Sequence, residues 1–394
     1  MADVPPYPLY GRSYLLYRLS PLHHGDVPLL NEPVLDTHAK RLREQLKGDN
    51  VRGVEVDFAG PEDALPNLGP LDQCSWDMIG DEDAWIDRHR QLADPDASHL
   101  TTLVHAEHAR GIQVTLDYEN HAYNALLLRD PTATTSPHGF TSLPLLLVKM
   151  PSAIRAIFLD YIRTSFDAHV VPLRLSSAFV TSTLETYLRH LTASTSTQSV
   201  QDVIGQLQVQ LSFPKATTLL RHLDVTIAGR HVSGFLNRGG LLRDAKDSPF
   251  TTALAAYMRK HLALDISHPK VHISRISCAS LVLATDRLKL MAPDIADSSI
   301  VDSDTPQASA GELAVQDFYA SLVKEAAGTG KFLSEHLTVD RRSSTPSSPT
   351  SASASRRKRA VSNVPAASRN TKRSRAREKE SRDGVLGDVV MADA

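Results

Sequence analysis

Cysteine is almost absent: the 394 residues contain two, Cys74 and Cys278, far apart and outside any C-x-x-C spacing. That argues against a structural zinc site and fits a reducing intracellular compartment. Long hydrophobic runs are missing as well. The longest apolar stretch, LPLLLV at 143–148, is about six residues, against roughly 20 for a helix that crosses a bilayer. The start of the chain, MADVPPYPLYGRSY, has no basic segment followed by an apolar one, so a secretory leader is not expected.

Motifs for catalysis and nucleotide binding are also lacking. GTGK (328–331) fails as a phosphate loop, because Glu325 stands where the first glycine belongs and Phe332 where the magnesium-holding Ser or Thr belongs. SLVK (321–324) fits S-x-x-K without the accompanying S-D-N or K-T-G. HAEH (105–108), with His121 beyond it, lacks the H-E-x-x-H arrangement of a metal site and reads as surface histidines. SFDAH, at 165–169, places Ser165, Asp167 and His169 close together. On a helix Asp167 points away from the other two, and on a strand neither a G-x-S-x-G elbow nor an oxyanion-hole turn is present. The stretch reads as a helix end with Phe166 and Val170 buried, and no catalytic, metal or cofactor residue is expected anywhere.

What is present is a globular body with a charged appendage. Hydrophobic residues make up 41% of the chain and charged residues 22%, enough to bury a sizeable core. The net charge of −2 hides a split: residues 341–394 carry 13 Lys+Arg against 5 Asp+Glu, leaving 30 against 40 for the rest. The tail is strongly basic and the body mildly acidic.

Along the body the hydrophobic period alternates between 2 and 3.6. YLLYR (14–18) reads as a strand, and VLDTHAKRLREQL as a helix with Leu35, Ala39, Leu42 and Leu46 on one stripe. Val54, Val56 and Phe58 alternate as in a half-buried strand, whereas 60–100 reads mostly as loop with a short helix around DEDAWIDRHRQL. GIQVTLDY and HAYNALLL form a hairpin, and LPLLLV is a buried strand leading into the helix PSAIRAIFLDYIRTSF with Ser152 as its N-cap. A helix follows over about 177–191, then the strands GQLQVQLSF and LDVTIAG. SPFTTALAAYMRKHLAL is a helix with Pro249 at its first position, and KVHISRISCASLVLATDRLKLM gives two or three strands. The predicted class is α+β: a largely antiparallel β-sheet with packed helices, plus a disordered basic C-terminal tail. The expected units are a folded domain over 1–293, a flexible insertion at 294–310, a helix at 311–327 stopped by Gly328 and packed on the fold, and a disordered tail over 338–394.

In the tail, Arg356, Arg357, Lys358 and Arg359 precede Lys372, Arg373, Arg375 and Arg377 with 12 small or polar residues between. That is the spacing of a bipartite nuclear import signal, and it also suits loose phosphate contacts on DNA. Thr345 and Ser348, each before a proline, are candidate phosphorylation sites whose added charge of about −1.5 to −2 would weaken the patch.

SYLLYRLSPL (13–22), GFTSLPLLLV (139–148), RTSFDAHVVPLRL (163–175), LDVTIA (223–228) and the run from YMRKHLALDIS to KVHISRISCASLVLATDRLKL (257–290) lie in an order and at separations that resemble the centromere protein L (CENP-L) family. The resemblance spans about residues 10–325. It implies a non-enzymatic subunit of the inner kinetochore, within the constitutive centromere-associated network, located in the nucleus at the centromere. It implies a heterodimer with a CENP-N-like protein through the C-terminal β-strands, contact with other inner-kinetochore subunits, and contact with the CENP-A nucleosome or centromeric DNA; no membrane, cofactor or small-molecule substrate is implied. In the strands of 270–290, Val271, Ile273, Ile276, Leu281, Leu283, Leu288 and Leu290 are then the candidate partner-binding residues, on the expectation of an exposed edge. Lys149, Arg155, Arg163, Arg174, Arg259, Lys260, Arg275, Arg287 and Lys289 are the candidate DNA contacts of the folded part. The competing readings are a nuclear DNA-binding protein acting through its tail, and a hydrolase using Ser165 and His169.

Overall fold

The structure is a computed structural model that describes residues 4–51, 68–93, 104–130, 136–193, 200–214, 220–242, 248–292 and 310–328. The chain divides into two units, 1–337 and 338–394, and only the first holds described residues. Its elements begin β1 (Ser13–Leu19), β2 (Leu22–His23), α1 (Glu32–Val51), β3 (Leu71–Ile79), α2 (Glu82–Ala93), β4 (Gly111–Tyr118) and β5 (Ala122–Leu128). They continue β6 (Phe140–Thr141), β7 (Leu145–Lys149), α3 (Ser152–Phe166), β8 (Val170–Pro172), α4 (Ser177–Leu191), α5 (Val200–Ile204), β9 (Gln206–Ser212) and β10 (His222–Ala228). The last are α6 (Gly229–Gly240), α7 (Pro249–Leu262), β11 (His272–Ser277), β12 (Leu281–Ala284), β13 (Arg287–Leu290) and α8 (Ala310–Ala327).

Eleven strands form one antiparallel sheet in the order β10-β9-β11-β12-β13-β1-β7-β5-β4-β3, with β8 also on β1, while β2 pairs with β6. Two hydrophobic cores lie on opposite faces of this sheet. One face of β1, β7, β5, β4 and β3 is covered by α1 and α3, packing Phe158, Ile162 and Phe166 on Val114, Leu127 and Leu146. The other face, over β9 to β13 and into β1 and β7, is covered by α4, α6, α7 and α8, packing Leu188, Phe250 and Leu322 on Val209, Leu283 and Leu147. Among the described residues only the middle strands are covered on both faces. In β7, Leu145 and Leu147 enter one core while Leu146 and Val148 enter the other, which is why that strand reads as a continuous apolar run. In β9, Leu207, Val209 and Leu211 are buried while Gln206 and Gln208 are exposed, the alternation of a strand with one wet face.

The expected stripe of α1, the β4–β5 hairpin, the SFDAH helix end and the three closing strands are all observed. Four expectations need revision or fall outside the description. β3 forms within the stretch read as loop; the register slips between Leu71 and Gln73, so its two ends do not share one alternation. α6, GRHVSGFLNRGG, was not expected because its four glycines disfavour a helix. Tertiary packing decides there, since a Cβ on Gly239 would lie 1.8 Å from the Pro249 carbonyl oxygen. The N-cap of α3 is Pro151, not Ser152, and makes no side-chain bond. Val54, Val56 and Phe58, the insertion up to residue 309, and the basic tail lie outside the described residues.

Candidate partner and nucleic-acid interface

Within β9 to β13, the surface left by the helices is built from the residues that alternate with the buried ones. Because α4, α6, α7 and α8 all occupy one face, and α1 and α3 end over β1, the opposite face of these strands carries no helix among the described residues. Its side chains form two cross-strand rows. Thr226, Gln208, Ser277, Val282, Lys289 and Ser13 follow one another across β10, β9, β11, β12, β13 and β1. Beside them run Asp224, Gln210, Arg275 and Ala284, with Arg287 on β13 opposite Leu15 of β1. A bulge between Ile273 and Arg275 turns Ser274 toward this row, where its Oγ lies 3.3 Å from Gln210 Oε1.

Arg275 and Arg287 are exposed and Lys289 half-exposed, and none of the three has an ion-pair partner among the described residues. Two strand spacings separate Arg275 from Arg287, about 10 Å, and two residues separate Arg287 from Lys289, about 7 Å. A shallow polar surface thus holds three unneutralised cations against one acid, Asp224.

The other nucleic-acid candidates scatter. Lys149 ends β7 on the opposite face of the sheet. Arg155 donates to the Met150 carbonyl at 3.4 Å and Arg163 to that of Val170 at 3.3 Å, so both serve the α3 boundaries. Arg174 is bridged to Asp286 at 3.1 Å and Arg259 to Asp265 at 3.3 Å. Lys260 stands exposed on α7. Arg356 to Arg359, Lys372 to Arg377, Thr345 and Ser348 lie outside the described residues.

The edge expected at 270–290 is not an edge. β11, β12 and β13 each have a partner strand on both sides, and Ile273, Ile276, Leu281, Leu283, Leu288 and Leu290 are core residues, with Val271 packed against the same core. Apolar alternation marks a strand's buried face, not its free backbone, which is why sequence pattern misassigned it. Among the described residues the sheet ends instead at β3 and β10. At the two ends of β10, Phe213 N donates to Arg221 O at 3.1 Å and Gly229 N to Gly205 O at 2.8 Å. Antiparallel alternation then directs the main-chain groups of Leu223, Val225 and Ile227 to β9, and those of His222, Asp224 and Thr226 outward. No sequence signal separates those two sets; the alternation of glutamines in β9 is the only hint that the neighbouring face is wet.

Nothing at SFDAH assembles a nucleophile. Ser165 bonds the Tyr161 hydroxyl, Asp167 holds a left-handed turn at φ 45° that closes α3, and His169 is exposed, its main-chain N–H donating to Ser20 Oγ at 2.9 Å. His105, His108 and His121 are exposed, and no cluster of three or more His, Cys, Asp or Glu able to hold a metal occurs among the described residues.

These features define a class: an α+β sheet protein that, among its described residues, shows an unpaired strand edge and a cationic sheet face. The chain belongs to the centromere protein L (CENP-L) family, whose family model matches residues 8–327, and so to a family of structural proteins of the kinetochore. It is accordingly a centromere protein of the chromosome-segregation machinery, associated with other inner-kinetochore proteins. No curated protein matches the sequence.

Proposed function

We propose that the chain is a non-enzymatic scaffold subunit of the inner kinetochore, acting in the nucleus, that joins its sheet to that of a CENP-N-like protein and helps hold CENP-A chromatin or centromeric DNA. The unpaired outer side of β10 carries this reading. Its three outward residues offer alternating donors and acceptors that a partner's strand can continue. Arg275, two strands in from that edge, and Arg287 and Lys289, four strands in, supply sequence-independent phosphate contacts from the open face, and the basic tail adds import and further DNA contact. Phosphorylation at Thr345 or Ser348 would oppose the tail's charge.

Co-expression with a CENP-N-like protein, followed by size-exclusion chromatography with mass detection, tests the reading. A one-to-one complex is the expected result; a chain that elutes alone in the presence of that protein refutes it. If binding to chromatin resided in the tail alone, deleting 341–394 would abolish DNA retention, whereas the scaffold reading retains the partner. Alanine at Ser165 and His169 leaves both unchanged.

A further inference from the structure

A cleft between α4 and α8, over the β11–β12 turn, makes no use of the β10 edge or of the cationic face. Its volume is about 320 Å³, near the lower end of the roughly 300–1,000 Å³ of ligand pockets, so it has room for one ring-sized group. Leu281 and Leu290 line it from the sheet and Phe318 from α8, all three buried in the core. Met291, 41% exposed just after β13, stands at the rim. An aromatic ring gains from contact with both a phenyl edge and a thioether.

Most polar groups of the cleft are already satisfied. The Tyr187 hydroxyl lies 2.5 Å from Ser280 Oγ, which is also 3.4 Å from Cys278 Sγ. On α4, the Thr181 and Ser182 hydroxyls donate to the carbonyls of Ser177 and Phe179 at 2.8 and 3.0 Å. Thr183 differs from them: it lines the cleft at 8% exposure, and its hydroxyl has no hydrogen-bond partner among the described residues. A hydroxyl so sheltered is a place where a ligand's N–H or O–H forms a bond without displacing another.

Charge at the mouth has one sign. Asp317, exposed on α8 with its Oδ2 2.7 Å from His190 Nε2, is the only charged residue that lines the cleft. The connection from β13 to α8 leaves at Ala292 and returns at Gly311, both lining residues. Its sequence brings Asp294, Asp297, Asp302 and Asp304 and no Lys or Arg, so like charge sets the connection against Asp317 and a cation is the better match.

We propose that this cleft takes a Trp or Tyr side chain from a segment of a partner protein, with a Lys or Arg beside it in that segment meeting Asp317. The ring lies on Leu281, Leu290 and Phe318, and its N–H or O–H reaches the Thr183 hydroxyl. Phenylalanine fills the same space but leaves Thr183 unpaired, and an acidic neighbour is repelled.

The test is fluorescence anisotropy of the full chain with a labelled Gly/Ser decapeptide carrying a central Lys-Trp pair, alongside versions with Lys-Phe, Lys-Ala and Glu-Trp. Lys-Trp is expected to bind best, Lys-Phe and Glu-Trp about tenfold more weakly each, and Lys-Ala not at all. Thr183→Val has nearly the same shape and breaks no bond of the fold, so it should leave the melting temperature unchanged while erasing the preference for Trp over Phe. Ser321→Trp, at an exposed position lining the cleft, should block the mouth and weaken binding at least tenfold; Asp317→Asn should remove the difference between Lys-Trp and Glu-Trp. Lys260→Gln, on α7, should have no effect. Equal binding of the Lys-Ala peptide, a Trp preference that survives Thr183→Val, or wild-type affinity in Ser321→Trp would each overturn the proposal. A tenfold gain in affinity when Ile295, Ile300 and Val301 are all changed to Ser would also overturn it, assigning the cleft to the chain's own connection.

Discussion

Proline at position 224 separates the outer edge of β10 from its inner one. Asp224 directs its N–H away from β9, so Asp224→Pro removes no main-chain bond of the fold, and an edge strand tolerates proline on its outward side. It does remove a donor from the edge and sets the ring Cδ in a partner strand's path. A strand laid along His222, Asp224 and Thr226 then loses about two main-chain bonds, each worth roughly 0.5–1.5 kcal/mol net. The total of about 1–3 kcal/mol corresponds to an affinity lower by roughly five- to 150-fold. Val225→Pro is the control, because Val225 bonds inward to Val209 and its proline strips a bond from the sheet itself. Calorimetric titration with the CENP-N-like protein reads the first effect and urea unfolding of the isolated chain the second. Asp224→Pro should unfold as wild type does yet bind weakly, while Val225→Pro should lose about 1–3 kcal/mol of stability. A folded Asp224→Pro chain with wild-type affinity would remove β10 as the seam, and equal destabilisation by both prolines would refute the assignment of inner and outer residues.

Four further outcomes are expected. Glu185, 4% exposed, accepts from Thr251 N at 2.6 Å and from Thr251 Oγ1 at 2.5 Å, capping α7 where Ser248 supplies no side-chain bond; Glu185→Ala should cost about 2–4 kcal/mol in urea unfolding, and a loss near zero would refute the cap. Ala263 closes α7 at φ 51°, so Ala263→Gly should raise stability by about 1 kcal/mol in the same assay. His38, packed among Trp76, Tyr161 and Phe166, is held below its ordinary pKa of 6.5 by burial and then by Arg41. The unfolded chain therefore takes the proton first: the contribution is complete above about pH 6.5 and is lost as pH falls through the lower folded value, so wild type should lose more stability between pH 7.5 and 5.5 than His38→Gln. Replacing Arg275, Arg287 and Lys289 together by Gln should reduce the log–log salt slope of DNA binding by up to about 2.7, the value for three released counterions; an unchanged slope in filter binding would remove this face from the DNA contacts.

The secondary elements of the middle of the chain were legible because each has a strong local period. The helix from Ser152, the two-faced β9 and the continuous run of β7 each report how many of their sides are buried. β3 escaped because a register slip breaks its alternation, and α6 because its glycines oppose a helix that packing against Pro249 imposes.

The candidate site divides along the same line. The sequence by itself determined that β9, β11 and β13 have one apolar and one polar face, since side-chain direction follows from the strand's twofold period alone. It also placed Arg275, Arg287 and Lys289 on those strands, and the order of its segments carried the family resemblance. Only the tertiary structure decided that these strands lie inside the sheet, and that among the described residues β10 ends it and no helix covers the face the three cations share. Strand order depends on pairings between residues as distant as Ser13 and Lys289, and a free edge is a property of backbone groups, which are the same in every residue but proline.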